Sequence, residues 1–173
     1  GNFNYASQGN GSLSHLESTM FMERIGASGT HIPYKGLAPA HTDLMGGQIT
    51  LLFDGIVTGM PAVKAGRLRA LAVTTSKRWQ GTPDIPTMAE AGLAGFEVNS
   101  WYGLLAPAGT PREIITRLNS EVARALREPD ARDRFAALGA ERVDKNPEAF
   151  GDHLHAEIAK WSKVVRAAGV RVE

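Results

Sequence analysis

An α/β fold built on a parallel sheet is expected for the first hundred residues, and three observations point to it. Short apolar runs alternate with helix-spaced patterns in the order strand, helix, strand, helix, strand. The first strand and first helix are joined by a turn of small residues, Ser7-Gln8-Gly9-Asn10-Gly11-Ser12. Beyond Lys77 the texture changes: the stretch to Gly95 is rich in Pro and Gly, and three amphipathic helical patterns follow with few strand-like runs between them.

In chain order, Phe3 to Ala6 reads as a strand. From Leu13 to Ile25, the apolar residues Leu13, Leu16, Met20, Phe21 and Ile25 keep helical spacing, and Gly26 supplies a stop. Ser12 is one candidate cap for this helix, and Ser14 with Glu17 forms a competing capping box two residues later. Thr30 to Pro33 is a second strand, Ala38 to Met45 a helix ending at Gly46-Gly47, and Gln48 to Phe53 an apolar strand running into Asp54-Gly55. A short helix over Met60 to Ala65 and a strand over Leu68 to Thr74 complete this part. Lys77 to Gly95 offers one small helix near Met88-Ala91, and Glu97 to Leu105 reads as a strand or an extended crossing segment.

The remaining helices carry local start and stop chemistry. Thr110-Pro111-Arg112-Glu113 combines an N-cap, a proline at the first helical position and a capping-box glutamate, ahead of the stripe Ile114, Leu118, Val122, Leu126. A second helix covers about Ala131 to Leu138 before Gly139. The last opens at Asn146-Pro147-Glu148, spaces Phe150, Leu154, Ile158, Trp161 and Val165 along one face, and stops at Gly169. These helices need a sheet to cover, yet only Glu97–Leu105, Glu141–Val143 and Val170–Val172 are strand-like. Either these helices lie on the sheet of the first part or, the favoured expectation, most of their own sheet is outside the chain, which by itself is then expected to expose apolar helix faces and to be marginal or oligomeric.

Composition narrows the function. Of 173 residues, 43% are hydrophobic and 21% charged, as in ordinary globular proteins. A net charge of +1 gives no bulk electrostatic case for nucleic acid or for an anionic membrane. No apolar stretch approaches the length that spans a bilayer, and the absence of cysteine excludes disulfides and thiolate chemistry. The chain opens at Gly1 with no basic-then-apolar leader, as a processed protein or a piece of a longer one would.

The glycine turn is the strongest chemical signal. A helix N-terminus gathers unpaired N–H groups and a partial positive charge, a natural seat for a carboxylate or phosphate. A dinucleotide site fits poorly: Gly9 and Gly11 match the fingerprint, but Ser14 replaces its third glycine and the second strand ends Pro33-Tyr34-Lys35 without an acidic residue. A P-loop is excluded by the missing Gly-Lys-Ser/Thr. Ser12, His15 and Asp54 could be imagined as a hydrolase triad, though Ser12 lies on no nucleophile elbow. A turn that merely starts a helix is the plainest alternative. Asp54 ends its strand on the edge where ligands of open parallel sheets bind, and either meets a ligand ammonium or caps the next turn. Tyr34 ends the preceding strand on the same edge. His31, His41, His153 and His155 show no paired ligand spacing, so no metal site is expected. Trp101-Tyr102-Gly103 marks the crossing segment and fits a packed hinge better than a ligand contact.

Five segments in order, SQGNGSLSH, HIPYKGLAPAHTDLMGGQI, GRLRALAVTTSKR, PDIPTMAEAG and SWYGLLAPAGTP, resemble the Bug family, the substrate-binding proteins of tripartite tricarboxylate transporters. The resemblance runs from about Phe3 to the C-terminus. It implies a periplasmic binding protein type 2-like fold, two α/β lobes around a ligand cleft, with residues 1–98 as lobe two and 99–173 as the returning part of lobe one. The leading part of lobe one, with its own carboxylate-holding loop and any signal peptide, would then lie outside this chain.

The implied function is capture of a small organic carboxylate and its delivery to membrane transporter subunits from the periplasm. No catalysis, cofactor, nucleic acid or membrane insertion is implied. Carried over residue by residue, Ser7, Gly9, Gly11 and Ser12 become the anion loop with Asn10 within it and His15 beside it. Asp54 tunes selectivity with Gly55 next to it, and Tyr34 joins them. The family's usual Pro-Gly-Val is replaced here by Gln8-Gly9-Asn10, which changes the side chains at that loop. A sensing role for a signalling partner, or a small α/β enzyme of hydrolase or nucleotide-dependent type, stand as the alternatives.

Overall fold

The computed structural model describes residues 3–169. Their elements, in order, are β1 (Phe3–Ser7), α1 (Leu13–Ile25), β2 (Gly29–Pro33), α2 (Leu37–Met45), β3 (Leu51–Leu52), α3 (Ile56–Lys64), α4 (Arg112–Ala125), α5 (Pro129–Ala137) and α6 (Pro147–Ala167). The three strands form one parallel sheet in the order β2-β1-β3. Parallel pairing puts the C-terminal ends of all three strands on one edge. The segments after them, 8–12, 34–36 and 53–55, therefore emerge together, as ligand-binding loops of open α/β sheets do.

β1 is central because its side chains suit burial on both faces: Ala6 and Ser7 are fully enclosed and Tyr5 nearly so. One face carries the cluster Ala6, Ala40 and Ile49, with Ile32, Tyr34, Leu44 and Leu52 against it. A second cluster of Met88, Phe96 and Val98 is covered by Leu13, Met20, Phe21, Phe53, Ala72, Leu93 and Trp161. Phe21, Phe53 and Phe96 meet here, the first edge-on to the other two at centroid distances of 5.7 and 6.3 Å.

The chain divides into two compact units. The first runs to Asn99 and takes in the stretch from Trp161 onward, so the last turns of α6 belong to it; the second is Ser100–Lys160. In the second unit Trp101 packs edge-on against Phe150 and His153, and donates its indole N–H to Glu157. No strand forms among the described residues of this unit. Ile114, Leu118 and Val122 of α4, and Tyr102, Leu104 and Leu105 before it, stand exposed.

Several elements depart from the sequence expectation. Leu68–Thr74 is not a strand: it makes a single bridge, Val73 to Thr87, because β3 is paired over only two residues and offers it no ladder. The apolar run Gln48–Phe53 yields only Leu51–Leu52 as strand. The helix expected at Met60 begins at Ile56, since Asp54 accepts from the Gly55 N–H (2.7 Å) and the Thr58 hydroxyl (2.6 Å) and so starts the turn early. Near Met88 there is one turn rather than a helix, closed by a reciprocal capping box between Thr87 and Glu90. Glu97–Leu105 and Glu141–Val143 are irregular. Thr110 does not cap α4, because its hydroxyl donates to the Pro107 carbonyl at 2.8 Å instead. Val170–Val172 lies outside the described residues.

Candidate functional site

The loop between β1 and α1 is built from its own side chains. Ser12 is the N-cap of α1: its hydroxyl donates to the Gly9 carbonyl (2.7 Å) and accepts from the His15 N–H (3.4 Å). The competing box at Ser14 and Glu17 is not used, since Ser14 already lies inside the helix and its hydroxyl accepts from the Gln8 N–H at 3.0 Å. Gly9 has φ 138° and Gly11 φ 73°, backbone that a side chain would strain. Ser7, fully buried, accepts from the Gly9 N–H at 3.1 Å and meets His31 Nε2 at 2.7 Å.

The donors on offer differ from those the sequence suggests. The N–H groups of Gln8, Gly9, Gly11 and Ser12 are taken, by Ser14 Oγ, Ser7 Oγ, His15 Nδ1 and the Gly9 carbonyl. Asn10, Leu13 and Ser14 have N–H groups that make no hydrogen bond among the described residues. Leu13 and Ser14 open α1, so these donors sit where the helix dipole is positive.

The second loop is tied to the first. The Tyr34 N–H donates to the Ser7 carbonyl (3.0 Å) and the Gly36 N–H to the Gln8 carbonyl (3.3 Å), carrying the β1–β2 ladder past the strand ends. The Tyr34 hydroxyl donates to Asp43 Oδ2 at 2.6 Å. That bond raises the Tyr34 pKa, while the side chain packs against the Ala6, Ala40 and Ile49 cluster.

Asp54 and Gly55 follow β3 on the same edge. Besides its bonds to Gly55 and Thr58, Asp54 accepts from or pairs with His41 Nε2 at 2.7 Å, so its carboxylate is engaged within the protein. Of the sequence-expected residues, Ser7, Gly9, Gly11, Ser12 and His15 form one bonded cluster, with Tyr34 attached through its backbone. Asn10 stands exposed at the loop tip, and Asp54 with Gly55 forms a separate group with His41 and Thr58.

The imagined triad is not assembled. Asp54 holds His41 and not His15, and Ser12 spends its proton on the Gly9 carbonyl. The closest Ser–His pair is Ser7 with His31, and Ser7 has no exposed surface from which to attack anything. Ser14, His31 and His41 were not among the site residues expected from the sequence. His31 could have been found from the strand register, which places it beside Tyr5, and Ser14 from its spacing of two from Ser12. His15 and His31 stack at 3.8 Å, and both are held below the ordinary histidine range. Burial is the cause for His15; burial and then His15 take His31 down to about 4.

The family model described as the tripartite tricarboxylate transporter family receptor, TctC, matches residues 1–170. This chain belongs to the TctC family. A protein of Pseudomonas sp. strain P51, the UPF0065 protein in the tcbD-tcbE intergenic region, is 37% identical over 95% of this chain and 49% of its own length. Rpa4515 of R. palustris, solved with adipate, is 40% identical with a TM-score of 0.83, over 97% of this chain and 56% of that one. The periplasmic binding protein BugD is 38% identical with a TM-score of 0.82, over 99% and 58%. MatC (Rpa3494) of Rhodopseudomonas palustris, solved with bound malate, is 37% identical with a TM-score of 0.77, over 94% and 56%. The α/β binding-protein fold implied by the sequence is the fold of these neighbours. This TctC chain spans about half the length of most of the curated relatives it matches. No helix among its described residues is long and apolar enough to cross a membrane.

Proposed function

We propose that this TctC chain is part of a periplasmic solute-binding receptor that captures a small organic carboxylate and hands it to membrane transporter subunits, without catalysis or cofactor. One carboxylate is received at the mouth of α1 by the N–H groups of Asn10, Leu13 and Ser14. These donors, unpaired among the described residues at the positive end of a capped helix, are the observation that carries the reading. In this reading Ser7, Gly9, Gly11 and Ser12 shape the loop and His15 lies beside it. Tyr34, Asp54 and Gly55 line the same sheet edge, Asp54 as the selective position. Residues 1–98 are assigned to one lobe of the whole receptor and the later residues to the other, with the turns of α6 from Trp161 packing on the first.

Neighbours solved with adipate and with malate support a carboxylate as the cargo class. Magnitudes fit a shared load. A helix terminus contributes about 0.3–1 kcal/mol, or ~2 when partly buried. That alone is less than about two decades of affinity, so the three amides and the neighbouring loops must add to it. A thermal-shift panel of adipate, malate and other small organic acids on the whole receptor tests the reading. A ligand at a hundred times its dissociation constant adds about 2.7 kcal/mol of stability. No shift with any organic acid would refute it.

A further inference from the structure

β1, α1 and β2 bring two histidines face to face behind the anion loop. The ring of His15, on α1, stacks on that of His31, on β2, at 3.8 Å and 9°. His31 in turn stacks on Tyr5 of β1 at 5.2 Å and 19°. His31 Nε2 meets the Ser7 hydroxyl at 2.7 Å, and His15 Nδ1 accepts the Gly11 N–H at 3.2 Å. That last bond fixes a tautomer. An amide has only a donor to give, so His15 must be neutral with its proton on Nε2.

A proton on His15 Nδ1 would set one N–H against another, and the Gly11 amide would have to let go. The groups facing the pair are Tyr5 and Ser7 from β1 and each ring from the other's element. The nearest carboxylate on α1, Glu17, is two residues from His15 and thus about 200° round the helix. Two adjacent imidazolium rings at this spacing would repel, so one proton is the limit of the pair. His31 Nε2 is tied to the enclosed Ser7 hydroxyl, whereas His15 Nδ1 faces the Gly11 amide of the loop, so the proton that acts on the loop is one taken by His15.

We propose that His15 is a proton-operated latch on the β1–α1 loop. Neutral, it keeps the Gly11 N–H inside the protein. Protonated, it frees that N–H and places a positive charge beside it, so carboxylate binding and proton uptake are linked. His15 is a positioning residue in this scheme, acting through Gly11, and the proposal rests on the carboxylate reading of the loop. Binding is then tighter at about pH 6 than at about pH 7.5. Each unit by which the ligand raises the His15 pKa is worth about tenfold in affinity.

The test is calorimetric titration of the whole receptor with adipate and with malate, in buffers of different ionisation enthalpy, to count protons taken up per ligand. The amide spectrum of the ligand-free protein is followed over the same pH range. Expected are net proton uptake on binding, a Gly11 amide resonance that moves with titration of the His15 ring, and loss of the uptake in His15→Gln. Binding without proton uptake would leave the site standing and overturn the latch. A Gly11 amide unmoved while His15 titrates would overturn it equally. If neither acid binds nor shifts the amides of Asn10, Leu13 and Ser14, the carboxylate reading fails and takes the linkage with it. Should His15→Gln not fold, the proton count and the amide titration of the unaltered protein decide alone.

Discussion

Replacing Ser7 by alanine tests whether the β1–α1 loop is held by the strand that precedes it. The Ser7 hydroxyl is fully enclosed, 3.1 Å from the Gly9 N–H and 2.7 Å from His31 Nε2. Alanine removes the hydroxyl that both groups share and fills nothing in its place. A buried polar group left unpaired costs about 1–3 kcal/mol, and two are orphaned here. Gly9 is half-exposed, so water reaches its N–H and cancels part of that cost. A loss of about 2 kcal/mol is the expected result, which for a chain of this size lowers Tm by roughly 4–8 °C. Ser12→Ala serves as an internal standard, since loss of an N-cap costs about 1 kcal/mol. Thermal and urea unfolding followed by circular dichroism measure both. A Ser7→Ala change no larger than that of Ser12→Ala would refute the reasoning, because Ser7 would then be holding neither His31 nor Gly9.

Other perturbations address the same elements. His31, held at about 4 in the folded protein against about 6.5 when unfolded, binds its proton less readily folded than unfolded, so stability falls as pH drops from about 6.5 towards about 4. A Tm series across that range should flatten in His31→Gln; an unchanged slope would show that another group carries it. Asn10→Asp places a carboxylate at the tip of the loop and should weaken binding of adipate or malate at least about tenfold by calorimetry, whereas equal affinity would remove the loop from the site. Trp161→Ala deletes a half-buried ring from the Met88, Phe96 and Val98 cluster, and should cost about 2 kcal/mol in urea unfolding. A loss under about 0.5 kcal/mol would mean that the last turns of α6 do not support the first unit.

What could be read from the sequence was what short-range chemistry decides. The end of α1 was legible to the residue because Gly26, at φ 63°, closes it, while its start stood open between Ser12, which caps it, and Ser14. The opening of α6 was legible for a similarly local reason: Asn146 Oδ1 accepts from the Ala149 N–H at 2.7 Å. β1 and β2 were legible to within a residue, but the later strands were not, because an apolar run reports a buried face and not a hydrogen-bonding neighbour. Leu68–Thr74 has the composition of a strand and lacks the ladder beside it. Capping boxes split along similar lines. Thr87 with Glu90 forms one, while Thr110 finds the Pro107 carbonyl closer to hand. At the candidate site, the loop residues could be named together because they are contiguous. The pairs His15–His31 and His41–Asp54 were not, since they join residues 16 and 13 apart across different elements. The identity of the free amides was hidden for a further reason: which N–H stays unpaired depends on where each serine hydroxyl turns.

The two backbone bonds that join Tyr34 and Gly36 to Ser7 and Gln8 make neighbouring connections share one register. Inserting or deleting a residue in either would shift both, so length changes between β1 and α1 and between β2 and α2 should occur only in concert among relatives. Anyone transplanting these loops into another protein would need to move the pair of connections as a single cassette.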